Sequence, residues 1–88
     1  MNFYVYILKS LKDNKLYIGY TTDFKKRIEY HNSGLNTSTK NRRPFKLLFA
    51  ESFINEKDAR KRERFFKTGH GREEIKKILE HTLNAGIV

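Results

Sequence analysis

Between Phe3 and Leu8 every side chain is aromatic, β-branched or aliphatic, a run with no polar face that suits a strand covered on both sides. It predicts the central strand of a sheet. Polar residues take over from Ser10 to Lys15, where Asp13-Asn14 tolerate tight-turn geometry, and Leu16 to Tyr20 resumes β-type composition. The two runs predict a hairpin. With Asp13-Asn14 as a two-residue turn, Lys12 faces Lys15, Ser10 faces Tyr17, Leu8 faces Gly19 and Tyr6 faces Thr21. Side chains alternate between faces, so Tyr6 and Tyr17 share one. A register slip of two residues preserves that parity, whereas a one-residue bulge would undo it.

After the hairpin the period changes. Thr22 or Asp23 can cap a helix that runs to about Ser33 and stops at Gly34. Phe24, Ile28 and His31 recur at helical spacing and form its buried stripe, with Arg27 one turn before His31 on the same side. Leu35 to Arg43 holds a single apolar residue, several hydroxyls and amides, and three bases, Lys40, Arg42 and Arg43. It predicts a mobile loop suited to phosphate contacts. Pro44 closes the loop, and Phe45 to Phe53 predicts a third, largely buried strand.

Asn55 is a natural N-cap for a second helix from about Glu56 to Lys67, with Gly69 ending it. Ala59, Glu63 and Phe66 fall on one narrow stripe of that helix, which sets a carboxylate in the apolar face. A last helix from Gly71 to about Thr82 buries Ile75, Ile78 and Leu79. The pattern gives an α+β domain over residues 1–83, in which a three-stranded antiparallel sheet is flanked by about three helices in the order β-β-α-β-α-α. Residues 84–88 are expected to form a frayed tail.

Composition narrows the function. Nineteen Lys and Arg stand against ten Asp and Glu, a net charge of +9 on 88 residues. Ten of the bases and only three of the acids lie in residues 1–50. Such a surplus favours polyanions, because each cation that neutralises a phosphate releases condensed counterions; simple solubility is the plainer explanation. The absence of cysteine excludes disulfides and zinc–thiolate sites. No apolar run approaches the roughly 20 residues that span a bilayer, so the expected location is the cytoplasm, without a membrane partner.

Three positions carry candidate chemistry. Arg27 alone would be a snorkelling side chain at the core edge, and His31 alone a hydrogen-bonded core histidine. One turn apart they point to a site. Glu63 alone would join an ion pair with one of the many bases on its helix, but an acid on the core stripe is costly unless it is paired or binds a metal.

The ordered set Tyr4-Val5-Tyr6, Tyr17-Ile18-Gly19, Arg27, His31 and Glu63 resembles the GIY-YIG nuclease family. It is most similar to small stand-alone bacterial members and to the N-terminal nuclease module of the bacterial excinuclease. The resemblance implies a divalent-metal-dependent endonuclease that hydrolyses phosphodiester bonds, with DNA ahead of RNA as substrate and repair or recombination as its setting. It implies Tyr6, Tyr17, Arg27 and His31 as catalytic residues and Glu63 as ligand to Mg²⁺ or Mn²⁺. Gly19, Lys40, Arg42 and Arg43 would contact nucleic acid, and a protein partner would supply specificity. Tyr4 stands where the family's first motif has glycine, and Lys67 to Arg72 holds no equivalent of an asparagine that many members carry. The alternative is a nucleic-acid-binding module with weak or lost turnover.

Overall fold

The computed structural model describes residues 1–84. The element order is β1 (Phe3–Ser10), β2 (Leu16–Thr21), α1 (Phe24–Ser33), a single 3-10 turn (Lys40–Arg42), β3 (Phe45–Phe53), α2 (Glu56–Phe66), α3 (Gly69–Ile78) and α4 (Glu80–Asn84). Of the expected tail, Asn84 closes α4 and the remainder lies outside the described residues. The sheet is antiparallel with β1 in the middle, in the order β2-β1-β3.

As the unbroken apolar run requires, β1 is covered on both faces, and alternation sorts its side chains into two layers. Val5 and Ile7 join Ile18, Ala59, Phe66, Ile75 and Leu79 beneath α2, α3 and α4. Tyr6 and Leu8 join Phe45, with Tyr17, Ile28 and Leu47 packed around them, beneath α1. Burying a side chain such as Phe66 or Ile7 contributes roughly 1.5–3 kcal/mol, so the larger first layer supplies most of the stability and the second holds the aromatic and polar groups. Strand β3 is more exposed than its composition predicts, with Phe45 its one buried residue. It lies at the sheet edge and bulges opposite Ile7 and Leu8.

The hairpin register differs from the expected one by two residues: Leu8 faces Tyr17, Tyr6 faces Gly19 and Tyr4 faces Thr21. The cause is Ser10, which widens the turn. Its hydroxyl accepts the N–H groups of Lys12 and Asp13, and its carbonyl accepts that of Asn14, which sits at φ 61°. Because the slip is even, Tyr6 and Tyr17 keep a common face.

Helix α1 begins and ends as its sequence dictates, with the Asp23 carboxylate accepting from the Lys26 N–H and Gly34 turning left-handed at φ 84°. Helix α2 is capped by Asn55, whose side chain accepts from the Lys57 N–H. Gly69 does not end α2; it opens α3, because the Thr68 hydroxyl accepts from the Gly71 N–H and caps a new helix there. The expected last helix is divided at Leu79, and the short α4 follows.

The segment between Gly34 and Phe45 is pinned rather than mobile. Arg42 forms an ion pair with Asp13 at 2.8 Å, and its carbonyl accepts the Ser10 hydroxyl. Asn32 binds both backbone groups of Phe45, accepting its N–H at 2.6 Å and donating to its carbonyl at 3.1 Å. The Arg43–Pro44 peptide bond is cis. Removing the Asn32 amide strips two backbone groups of their partners at the junction of α1 and β3. Asn32→Ala should therefore cost about 1–3 kcal/mol, read as a lower urea midpoint with an unchanged slope.

Candidate active site

Three residues from three elements meet on the α1 face of the sheet. The Tyr6 hydroxyl of β1 lies 3.1 Å from Nε2 of His31, and the Tyr17 ring of β2 meets the imidazole edge-on, with ring centres 4.8 Å apart. The two tyrosine rings are 6.4 Å apart. Sheet parity brings the tyrosines together, and the Phe24, Ile28, His31 spacing turns the imidazole toward them. His31 has no exposed surface and is walled further by Phe45 at 5.7 Å and Tyr30 at 6.0 Å.

Gly19 is buried directly opposite Tyr6, and a Cβ there would fall on the Tyr6 phenol. The absent side chain makes room for the protein's own tyrosine. This corrects the expectation that Gly19 admits a nucleic-acid strand.

Tyr6 and Tyr17 are not equivalent. Tyr6 is 2% exposed. Burial, and after it the neighbouring Tyr17, push its phenol well above the ordinary 10; Arg27 opposes that shift and the Glu63 carboxylate adds to it. In this state Tyr6 keeps its proton. Tyr17 is half-buried, and its hydroxyl has no hydrogen-bond partner among the described residues. Since no described buried side-chain polar atom lacks a partner, that hydroxyl reaches solvent. Burial, followed by the Arg27 cation, lowers the pKa of His31 and favours the neutral imidazole.

Arg27 is exposed rather than part of the buried stripe. It stands over the Tyr30 ring at 5.7 Å and, with Thr21, Asp23, Lys26 and Tyr30, lines a shallow pocket of about 380 Å³. Phe24, Ile28 and His31 already fill the inward arc of α1, so position 27 falls at its rim. Glu63 belongs to α2, on the opposite layer from His31. Its side chain is 20% exposed and accepts from Lys67 at 3.1 Å. The ion-pair alternative weighed for Glu63 is therefore present. Lys67 takes one carboxylate oxygen, and the other has no partner among the described residues.

A hard divalent cation fits that donor set. No group of three or more His, Asp or Glu residues converges among the described residues, which is unlike a closed zinc site. Mg²⁺ can be held by one carboxylate, substrate phosphate oxygens and retained waters.

The basic segment divides. Arg42 is occupied by Asp13 and by the Phe45 ring beneath it, and the pairing holds the Asp13 carboxyl down at about 2. It is not a free phosphate contact. Lys40 and Arg43 are exposed, the latter lying over Gly34. The sequence gives no sign of Thr39, which is fully buried and places its hydroxyl 2.9 Å from Nδ1 of His31. It resembles its exposed neighbours Thr37 and Ser38 in every property that pattern analysis can use.

Comparison with known proteins shows the chain's relatives. Residues 2–77 match the model of the GIY-YIG catalytic domain. A UPF0213 protein of Staphylococcus haemolyticus is 45% identical over 78 residues, covering 88% of this chain and 94% of that protein. The UPF0213 protein YazA of Bacillus subtilis is 46% identical over 67 residues, covering 75% of this chain and 67% of that one. The solution NMR structure of a UPF0213 protein from Bacillus halodurans superposes with a TM-score of 0.55 at 37% identity, covering 89% of this chain and 85% of that one.

Two outcomes follow from the packing. Gly19→Ala should destabilise the fold by about 1–3 kcal/mol through overpacking against Tyr6, measured by chemical denaturation. His31, whose folded pKa is lowered, takes up its proton more readily when unfolded. Stability should therefore fall as pH drops from the usual 6.5 through the lowered folded value. Melting temperatures between pH 7.5 and 5.5 test this, and the slope should flatten in His31→Gln, since His70 and His81 are exposed.

Proposed function

The chain belongs to the GIY-YIG family, a family of nuclease-type hydrolases, and from that membership we propose that it is a divalent-metal-dependent endonuclease acting on DNA. The observation that carries the reading is the meeting of Tyr6, Tyr17 and His31 on one face, within electrostatic reach of Arg27 and Glu63.

In this reading Tyr6 takes the proton of the attacking water, and Tyr17, with its hydroxyl open to solvent, holds that water or a phosphate oxygen. An unperturbed phenol is ionised about once in a thousand at pH 7, a cost of roughly 4 kcal/mol. Burial of Tyr6 adds to that cost. Arg27 offsets part of it and forks onto a phosphate oxygen as charge develops there. Mg²⁺ or Mn²⁺ held by the free oxygen of Glu63 would supply Lewis-acid polarisation of the phosphate. Lys40 and Arg43 track the nucleic-acid backbone outside the site. Repair or recombination in the cytoplasm is the process such an activity would serve, with a protein partner or DNA shape setting specificity.

The Lys67–Glu63 pair favours a second reading, a nucleic-acid-binding module without turnover. Branched, nicked and single-stranded DNA, with an RNA control, should be incubated with the protein in Mg²⁺, Mn²⁺ or chelator. Metal-dependent cutting is expected, abolished in Glu63→Gln, reduced about 10²–10⁴-fold in Tyr6→Phe and about 10²–10³-fold in Arg27→Ala. Equal cutting by Glu63→Gln would overturn the first reading. Salt-sensitive binding with no cutting of any substrate would establish the second.

A further inference from the structure

Thr39 stands at the N-cap position of the Lys40–Arg42 turn, where a threonine hydroxyl ordinarily accepts a backbone N–H. It makes no such bond. The hydroxyl is turned instead to Nδ1 of His31, and among the described residues it has no other partner. It thus begins a line of three groups: the Thr39 hydroxyl, the imidazole, and the Tyr6 hydroxyl on Nε2.

The line has a direction that donor counting sets. A neutral imidazole carries one N–H, and burial with the nearby Arg27 cation favours that form. Three donors, on Thr39, His31 and Tyr6, then share two hydrogen bonds, so the proton at one end must point away from the line. The Thr39 end is sealed at 0% exposure, and a hydroxyl proton directed away from His31 there would be buried without an acceptor, at a cost of about 1–3 kcal/mol. The Tyr6 end is the less sealed of the two, since Tyr6 is 2% exposed and Thr39 0%.

We propose that Thr39 is a positioning residue that fixes the tautomer of His31: its hydroxyl donates to Nδ1, so the imidazole proton resides on Nε2, donates to the Tyr6 oxygen, and turns the Tyr6 O–H toward the cleft. Resting on the nuclease reading, this makes His31 a donor that stabilises negative charge on the Tyr6 oxygen, and it orients the Tyr6 hydroxyl before substrate arrives.

The tautomer is read directly from the ¹⁵N shifts and couplings of the His31 ring at pH 7.5, where activity plays no part. The wild-type chain should show Nε2 protonated and Nδ1 unprotonated. Thr39→Ser, which keeps the hydroxyl, should retain that pattern, and Thr39→Val, which keeps the shape, should shift the ring toward Nδ1 protonation. A wild-type ring protonated on Nδ1, or the same tautomer in wild type and Thr39→Val, would overturn the proposal. If Thr39→Val fails to fold, the wild-type tautomer still decides. In a nuclease assay Thr39→Val should lower kcat about tenfold or more, with Ser restoring it. Absence of cutting by the wild-type protein would count against the nuclease reading alone and leave the tautomer result standing.

Discussion

Strand β1 is hydrogen-bonded along both edges and covered on both faces, and Val5, Ile7 and Leu8 expose no surface. That constraint organises the chain. A strand without a solvent side needs two covering layers, which α1 supplies on one face and α2 with α3 on the other. It also needs two flanking strands to satisfy its backbone. Because Tyr6 belongs to such a strand, its hydroxyl needs a protein partner, and His31 meets it. The buried polar line therefore follows from the position of β1 in the sheet. Polar groups held in this way, each with a partner, make a local arrangement specific, since any alternative packing would leave one of them unpaired.

Several of the cations are already engaged within the fold. Arg42 is tied to Asp13, Arg62 to Glu51 at 2.8 Å while stacking 4.3 Å from the Phe66 ring, and Arg60 to Glu56 while covering Tyr20 at 4.2 Å. Such pairs on the surface add little stability individually. Their effect is to join layers: the Tyr20 hydroxyl also donates to Glu56, so β2 and α2 are clasped near the start of the helix that carries Glu63. The cations left to meet a polyanion are fewer than the nineteen Lys and Arg of the sequence, and they include Lys26, Arg27, Lys40 and Arg43 on exposed positions.

The parts of this structure that depend on alternation and helical period were legible in the sequence. Tyr6 and Tyr17 share a face, His31 lies on the buried arc of α1, and β1 is central, each following from spacing alone. What escaped depends on side chains that bind backbone or one another. Ser10 lengthens a turn that Asp13-Asn14 would have made tight, and Thr68 starts a helix where Gly69 reads as a stop. Thr39 is the extreme case. Nothing local separates it from Thr37 or Ser38, because its burial is decided by where α1 and β3 place His31.

The pinned segment between Gly34 and Phe45 also works as a length gauge. On its C-terminal side, Arg42 is fastened to the hairpin and Phe45 to Asn32, so the reach from Thr39 to those anchors is fixed to the residue. On its N-terminal side, Leu35 is exposed and precedes the turn that Asn36 closes by accepting the N–H groups of Thr39 and Lys40. The segment can therefore accommodate inserted chain at Leu35 and not after Asn36, and any graft of a recognition peptide onto this domain has a natural place of entry.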